Sequence, residues 1–367
     1  AVLPTLIFGN FASWLYRALM FLIVSCPCAL VISVPLSFFG GIGKASRNGI
    51  LIKGSKYMDV LASINTMVFD KTGTLTKGEF EVVSVHPNEI DETQLLHIAS
   101  HVERSSKHPI AVALANAYHP KCDECEVSDV EEIAGQGIRA KVEGKIVCVG
   151  NAKMMDAIGV EDPTEKKSGT IVHISIDNRY AGHVVVADKV KPDARETINQ
   201  LSQQGVENIT MLTGDNDAVA GAVADNLGIA EYHANLLPTD KVAILQEIIA
   251  NKEKNDFVAF VGDGINDAPV LALSDVGIAM GALGSDAAIE AADVVVMDDK
   301  LAKIPLAISI ARQTIAIARQ NVVFAIAIKL LVLVLAAIGL ANMWMAVVAD
   351  VGVTVLAILN AMRTLQK

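Results

Sequence analysis

A basic excess is what this sequence most plainly lacks. Its 30 Lys and Arg stand against 41 Asp and Glu, a net charge of −11, which argues against a nucleic-acid partner. Cysteine is scarce too. Five in 367 residues, with no secretory signal ahead of them, do not make a disulfide framework. There is no internal repeat and no low-complexity tract. An initiator Met is also missing: the chain opens on "AVLPTLIFG", already apolar, and reads as part of something longer. Hydrophobic residues, by contrast, make up 52% of the chain, and the mean hydropathy of +0.43 is high for a wholly soluble protein. A chain apolar at both ends and charged in the middle reconciles these values, and the length suggests two or three domains.

Residues 15–42, 315–338 and 343–359 are apolar runs near or above the ~20 residues that cross a bilayer. Phe11, Trp14 and Trp344 lie at their ends, where amphipathic rings favour the headgroup layer. Lys44, Arg47, Lys53 and Lys56 follow the first run, Arg312 and Arg319 precede the second, and Arg363 and Lys367 follow the third. The positive-inside rule places those ends in the cytoplasm, so the large central region and the carboxy terminus face inward in a multi-pass protein of the cell membrane. The first nine residues read as the tail of an earlier span.

Between the runs, "TMVFD", "NITMLTGD" and "FVAFVGDGIND" each read as a buried strand ending in acidic residues and Gly. Helical stretches such as "DARETINQLSQQ" and "TDKVAILQEIIA" alternate with them. The alternation predicts a parallel doubly wound α/β sheet with ligands at the carboxyl ends of its strands. From 78 onward the pattern changes to short strands ("IRAKVEGKIVCVG", "GTIVHISIDNRYAGHVVV") with a helix over 95–117. This predicts a second, α+β unit inserted after the first strand of the sheet. The expected layout is therefore membrane over 1–52, the sheet unit over 53–77 and 187–303, the inserted unit over 78–186, and two membrane helices over 304–367.

Asp70 ends a hydrophobic strand and is followed by "KTGTLT". A carboxylate there attacks phosphorus once a divalent ion neutralises the repulsion between two anions. Asp263, in "GDGIND", is the natural second ligand for Mg²⁺, a hard ion that prefers carboxylate and phosphate oxygens. Thr213, which with Asp215 makes "TGD", can hydrogen-bond a phosphoryl oxygen. Lys241 in "LPTDK" can set an ammonium on it, and Asn266 and Asp267 would orient the metal shell.

"DKTGTLT", "TGD" and "GDGINDAP", in this order, resemble the motifs of a P-type ATPase, a pump built on the haloacid-dehalogenase-type phosphoryl-transfer fold. The resemblance covers nearly the whole chain. It implies that Asp70 becomes an aspartyl phosphate and that Asp70, Thr72 and Asp263 serve Mg²⁺. Phosphatases of the same fold usually carry a second Asp two residues after the nucleophile, as general acid and base for water. Here Thr72 stands there, so the acyl phosphate should survive long enough for a pump to use it.

"ERSSKHPIA" and "GQG" resemble the nucleotide domain of heavy-metal-transporting P-type ATPases. Carried over by position, Glu103, His108, Gly135 and Gly137 would line an adenosine pocket for ATP, with Gly150 close by. Imidazole can stack on or hydrogen-bond a base, and glycines let the backbone approach it. A lone His-Pro is also a common helix start, and Lys107 stands where the family often has an acidic residue.

Cys26 and Cys28 flank Pro27 about a dozen residues inside Trp14, roughly 18 Å along a helix and so mid-bilayer. Proline removes a donor and opens the helix, and irregular backbone at that depth is tolerated where it lines a site. Two positions apart on an intact helix, the thiols would diverge by ~200°; unwinding can turn both toward one soft metal ion. Lys329 in "AIAIKLLVLV" and Asp350 in "VVADVGVTV" lie midway through the other two spans, where an ionisable group is functional by default. Two thiolates and one carboxylate carry three negative charges. A divalent ion cancels two and Lys329 the third, so Cys26, Cys28 and Asp350 read as ligands and Lys329 as internal counter-ion. This resembles the zinc-, cadmium- and lead-exporting subgroup.

Cys122 and Cys125, in "HPKCDEC", form a single CxxC that serves a regulatory metal or merely an exposed loop. Cys148, His173 and His183 read as strand residues. No "TGE" occurs, so the actuator domain whose Glu directs water at the aspartyl phosphate is expected outside this chain, along with earlier membrane helices. Three readings stand. One is a divalent-metal export pump. Another is a copper or silver pump in which Lys329 and Asp350 are passengers. The third is a phosphatase in which the spans are anchors.

Overall fold

The computed structural model describes residues 9–104, 106, 108–118, 125–161, 170–254, 256–263, 267–281 and 286–365. Lys107, Cys122, Asn266, Lys367 and the first eight residues lie outside the described residues.

Among the described residues, three stretches are long and apolar enough to cross a membrane: Phe11–Arg47, Lys303–Ala337 and Met343–Leu365. The first is two helices, Phe11–Val24 and Cys28–Arg47, parted at Ser25–Pro27 where Pro27 withholds its N–H. The second runs further than the apolar pattern suggests. Its 35 residues make roughly 52 Å at about 1.5 Å each, against ~30 Å of hydrocarbon. Its first turns bury Ile304, Ala307, Ile308 and Ala311 in the core of the large sheet, so one rigid rod joins that core to the bilayer. Glycine sets the packing of the first span on the others. A Cβ at Gly40 would strike Thr364 Oγ1, and one at Gly41 would strike Thr314 Oγ1.

Among the described residues the large sheet has seven strands: β1 (Ile50–Ile52), β13 (Val294–Val296), β12 (Val276–Met280), β11 (Phe257–Gly262), β2 (Ile64–Asp70), β9 (Asn208–Leu212) and β10 (Glu231–His233), in that spatial order. All neighbours are parallel except β1, which pairs antiparallel with β13 at one edge. The expectation of a purely parallel sheet beginning at "TMVFD" therefore misses a short edge strand ahead of it. From β2 the chain winds one way to β9 and β10, then crosses back to β11 and winds the other way. Ligands gather at the carboxyl ends beside such a switch point, and β2 ends there at Asp70.

Between β2 and β9 a six-stranded antiparallel sheet is inserted. Its order is β3 (Thr76–Pro87), β8 (Arg179–Val190), β7 (Thr170–Ile176), β6 (Lys145–Gly150), β5 (Gly137–Val142) and β4 (Val127–Ile133). The entering and leaving strands pair with each other, Thr76 opposite Val190, so the insertion is fastened at its neck. One face packs on Leu95, Ala99, Val102 and Leu114 of two helices. The single helix expected over 95–117 is two, Glu92–Glu103 and Pro109–Ala117. Pro109 cannot continue a helix from before it but is pre-set to start one.

Candidate phosphorylation site, nucleotide pocket and membrane metal centre

Strand order brings the tips of β11, β2 and β9 side by side, and the acidic residues follow from that. Asp70 is 5% exposed at the end of β2. Lys241, near the start of the helix Pro238–Asn251, donates to Asp70 Oδ1 at 2.6 Å and to Asp267 Oδ1 at 2.9 Å. The carboxylates of Asp70, Asp263 and Asp267 lie within 4.8 Å of one another. Burial first, then Asp267, pushes the Asp70 carboxyl up to about 7 against the pull of Lys241, and Asp263 adds to the rise. For Lys241, burial lowers the ammonium pKa, but Asp70 and Asp267 outweigh it and hold it above its ordinary range.

Between Asp70 and β3 the chain makes a tight turn in which Gly73 takes φ 74°. A Cβ there would stand 2.5 Å from Asp263 Oδ2, so glycine meets both a conformational and a spatial demand. Thr72 is exposed on this turn, while the acidic trio includes Asp267. Three clustered carboxylates that lysine only partly neutralises are a hard-oxygen donor set, which suits a divalent ion such as Mg²⁺. Thr213, buried just past β9, accepts from the N–H of Asp215 at 3.1 Å. Asp215 in turn pairs with Lys71, which also approaches Asp188 at 3.7 Å. The sequence reading passed over Lys71 and Asp188. Their signal is a pair of opposite charges at the two ends of the insertion, "DK" and "ADK".

Glu103, His108, Gly135, Gly137 and Gly150 line one cavity of about 310 Å³ in the inserted unit. A Cβ on Gly137 would strike Val149 O, and one on Gly150 would strike Gln136 O, so the two strands approach more closely than other residues permit. His108 both caps a helix and lines the pocket. Its Nδ1 accepts from Ile110 N at 3.3 Å, which leaves the Nε2 proton for a ligand. Burial first, then Glu132, raises the Glu103 carboxyl to about 7. Asn151 is a lining residue that sequence reasoning missed. Its Nδ2 donates to Gly135 O at 2.9 Å and its Oδ1 caps the following helix at Met154 N. An Asn straight after Gly150 at a helix start was the available clue.

In the membrane, the break at Pro27 frees backbone carbonyls. Lys329 Nζ donates to Val24 O at 3.1 Å, to Cys26 O, and to Asp350 Oδ1 at 3.0 Å. Asp350 sits in the widened turn Val348–Gly352, whose carbonyl at Asp350 accepts from Thr354 Oγ1. The Lys329 and Asp350 side chains are only 12% and 16% exposed, turned toward their partners and away from lipid. Cys26 Sγ, Cys28 Sγ and an Asp350 oxygen lie within 4.8 Å of one another. The two expected thiolates are here joined as a disulfide. The opened helix accounts for it: the Cα atoms are 5.4 Å apart, inside the roughly 4.4–6.8 Å that a disulfide spans. Reduction is needed before both sulfurs can serve as ligands. Cys148 is buried in β6, and His173 and His183 are buried in β7 and β8.

A model of the haloacid dehalogenase-like hydrolases matches residues 64–275. The chain belongs to that family. The matched stretch runs from the start of β2 across the insertion to the edge of β12, and so contains the whole haloacid dehalogenase-like site. Similarity to larger proteins extends beyond it. The chain is 49% identical over its full length to the cadmium, zinc and cobalt-transporting ATPase of Bacillus subtilis (strain 168), covering 53% of that protein. It is 50% identical to the zinc-transporting ATPase of Synechocystis sp. (strain ATCC 27184 / PCC 6803 / Kazusa) over 99% of this chain and 51% of the other. A crystal structure of a zinc-transporting PIB-type ATPase in the E2.Pi state superposes with a TM-score of 0.88 at 35% identity, covering all of this chain and 60% of that one. The chain thus spans about half the length of the curated relatives it matches.

Proposed function

We propose that this chain supplies the catalytic unit and membrane metal site of a cell-membrane pump that exports divalent soft metal ions, Zn²⁺, Cd²⁺ or Pb²⁺, at the expense of ATP. One observation carries the reading: Cys26, Cys28 and Asp350 converge around Lys329 in the membrane. A haloacid dehalogenase-like hydrolase acting on a soluble phosphate ester has no use for such a cluster. The relatives named for zinc, cadmium and cobalt transport support the same cargo class. A monovalent cargo would leave Lys329 and Asp350 idle, whereas they bond to each other and Lys329 also bonds to the opened backbone at Val24 and Cys26.

The chemistry follows from the geometry. Residues 78–186 hold the adenosine of ATP, with His108 and Glu103 toward the base. Asp70 attacks the γ-phosphorus. An aspartyl O–P bond forms, the bond to the β-phosphate oxygen breaks, and ADP leaves. Lys241 sets its charge on the atoms where negative charge develops, the kind of stabilisation on which phosphoryl transfer depends. Thr213 donates its hydroxyl hydrogen to a phosphoryl oxygen, and Lys71 holds Asp215 and thereby that loop. Asp70 and Asp263, with Asp267 beside them and Thr72 on the adjoining turn, would hold Mg²⁺, which supplies neutralising charge; the role given to Asn266 rests on the sequence motif alone. With Thr72 in place of a second carboxylate, no base in the turn activates water. Hydrolysis of the aspartyl phosphate therefore needs a water-directing group from elsewhere than this turn.

The test is ³²P transfer from ATP in the full-length, reduced protein. Acid-stable, hydroxylamine-labile label is expected on the wild type and absent from Asp70→Asn. It should rise with Zn²⁺, Cd²⁺ or Pb²⁺ but not with Cu⁺ or Ag⁺, and Asp350→Ala should lose the metal response. Full Zn²⁺ stimulation in Asp350→Ala would overturn the cargo assignment while leaving the phosphoenzyme intact.

A further inference from the structure

Lys191 belongs to none of the motifs above, yet its side chain is only 2% exposed. A buried ammonium is costly unless it is paired and hydrogen-bonded, so its partners matter. The main chain fixes its position. Lys191 follows β8, and its N–H donates to Leu75 O at 3.0 Å, at the end of the turn that leaves Asp70. The side chain then reaches two acceptors, Gly73 O at 3.1 Å and Asp299 Oδ1 at 2.5 Å.

The two acceptors belong to different parts of the molecule. Gly73 is the positive-φ residue whose backbone abuts the Asp263 carboxylate. Asp299 lies in the link between β13 and the long helix Lys303–Ala337, next to Asp298, which pairs with Lys303 at 2.9 Å. Glycine places few limits of its own on a turn. The position of Gly73 against Asp263 must therefore be set from outside, and the charged donor on its carbonyl is suited to do so. Lys71 cannot do this work, because Asp215 and Asp188 occupy it.

We infer that Lys191 is a positioning residue for phosphoryl transfer to Asp70. By tying the Gly73 carbonyl to Asp299 it holds the turn against Asp263, and so sets the spacing of Asp70 and Asp263 across a divalent ion. It touches neither nucleotide nor phosphate. The inference rests on the proposed phosphorylation of Asp70.

The experiment uses the full-length protein with Lys191→Met, Lys191→Arg and Asp299→Asn. Three quantities are read: the Mg²⁺ concentration for half-maximal ³²P labelling, Mg²⁺ binding by calorimetry without nucleotide, and the affinity for ATP without Mg²⁺. Lys191→Met should raise the Mg²⁺ requirement about tenfold in both Mg²⁺ measurements, the size typical when a residue that supports a metal ligand is lost. Lys191→Arg should restore it, Asp299→Asn should fall between, and ATP affinity should not move. A Lys191→Met protein with a lowered Tm but an unshifted Mg²⁺ requirement marks a merely structural lysine and overturns the inference. Should that variant not fold, Asp299→Asn decides on the same criterion. A wild type that never labels removes the phosphorylation reading and this inference with it; a labelled wild type beside an unshifted Lys191→Met removes this inference alone.

Discussion

Lys241–Asp70 and Lys329–Asp350 are the same pair of residue types at similar separations, 2.6 Å and 3.0 Å, in very different company. Lys241 faces three clustered carboxylates, Asp70, Asp263 and Asp267, so one ammonium cannot cancel them all, and the excess shows in the raised Asp70 carboxyl. A hard divalent ion can enter there without moving the lysine. Lys329 faces one carboxylate and two backbone carbonyls, which makes a pair already neutral. A divalent ion can enter only if the sulfurs are reduced and ionised while the ammonium gives up its bonds. The neighbours, not the pair, decide the role: the first lysine is a standing clamp, the second a plug.

The clamp is the easier half to break. Lys241→Met keeps the length of the side chain and removes its charge. Phosphoenzyme formation should slow about a hundredfold, as it does when one preorganised electrostatic donor is lost from a reacting centre. Because Asp70 would lose its neutralising partner, more Mg²⁺ should rescue part of the rate. Rapid-quench labelling at several Mg²⁺ concentrations reads both effects. A wild-type rate would mean that Lys241 serves only to pair the empty carboxylates.

For the plug the outcome should be of the opposite kind. Lys329→Met removes the competitor for Asp350, so in reduced full-length protein the Zn²⁺ concentration for half-maximal labelling should fall about tenfold, close to 1.4 kcal/mol. Overall transport should fall as well, because nothing then helps the ion leave. Metal titration of labelling, paired with vesicle efflux, separates the two. Weaker Zn²⁺ binding in the variant would make Lys329 a support for the site and erase the contrast with Lys241.

Legibility in the sequence follows the range of the interactions. Asp70, Thr213 and Asp263 each close a buried apolar strand, so local pattern alone puts them at strand tips, and parallel pairing brings the tips together. The helix break at Pro27 is likewise local. What stayed hidden depends on residues remote in sequence. Lys71, Asp188 and Lys191 look like ordinary charges until β3 and β8 pair at the neck of the insertion. The edge strand β1 is three residues long, too short for any periodicity, and exists because β13 is there to receive it. The long helix outruns its expected span of 315–338 because Ile304 to Ala311, set apart from that run by Arg312, are apolar in order to bury against a sheet and carry no membrane signal of their own.

The inserted unit offers a third case, a buried acid with no lysine among the described residues lining its pocket. Burial first, then Glu132, lifts the Glu103 carboxyl to about 7 from an ordinary 4.5. Between those values the folded unit holds a proton that the unfolded chain has released, so stability falls as pH rises across that window. The contribution is whole below the unfolded value and gone above the folded one. Glu103→Gln cannot lose a proton, so it should flatten the dependence. Its Tm should match the wild type near the acid end and exceed it at alkaline pH by a few degrees, the shift that about 1 kcal/mol produces in a domain of roughly 100 residues. Glu132→Gln should move the wild-type curve the same way but less, since it removes only the second of the two causes. Thermal melts at pH 4.5 and 8 suffice. Parallel curves for wild type and Glu103→Gln would mean that the cavity wets Glu103 as fully as bulk water. Its place beside His108 would then owe nothing to desolvation, and the contrast with the two lysine-paired acids would narrow to charge count alone.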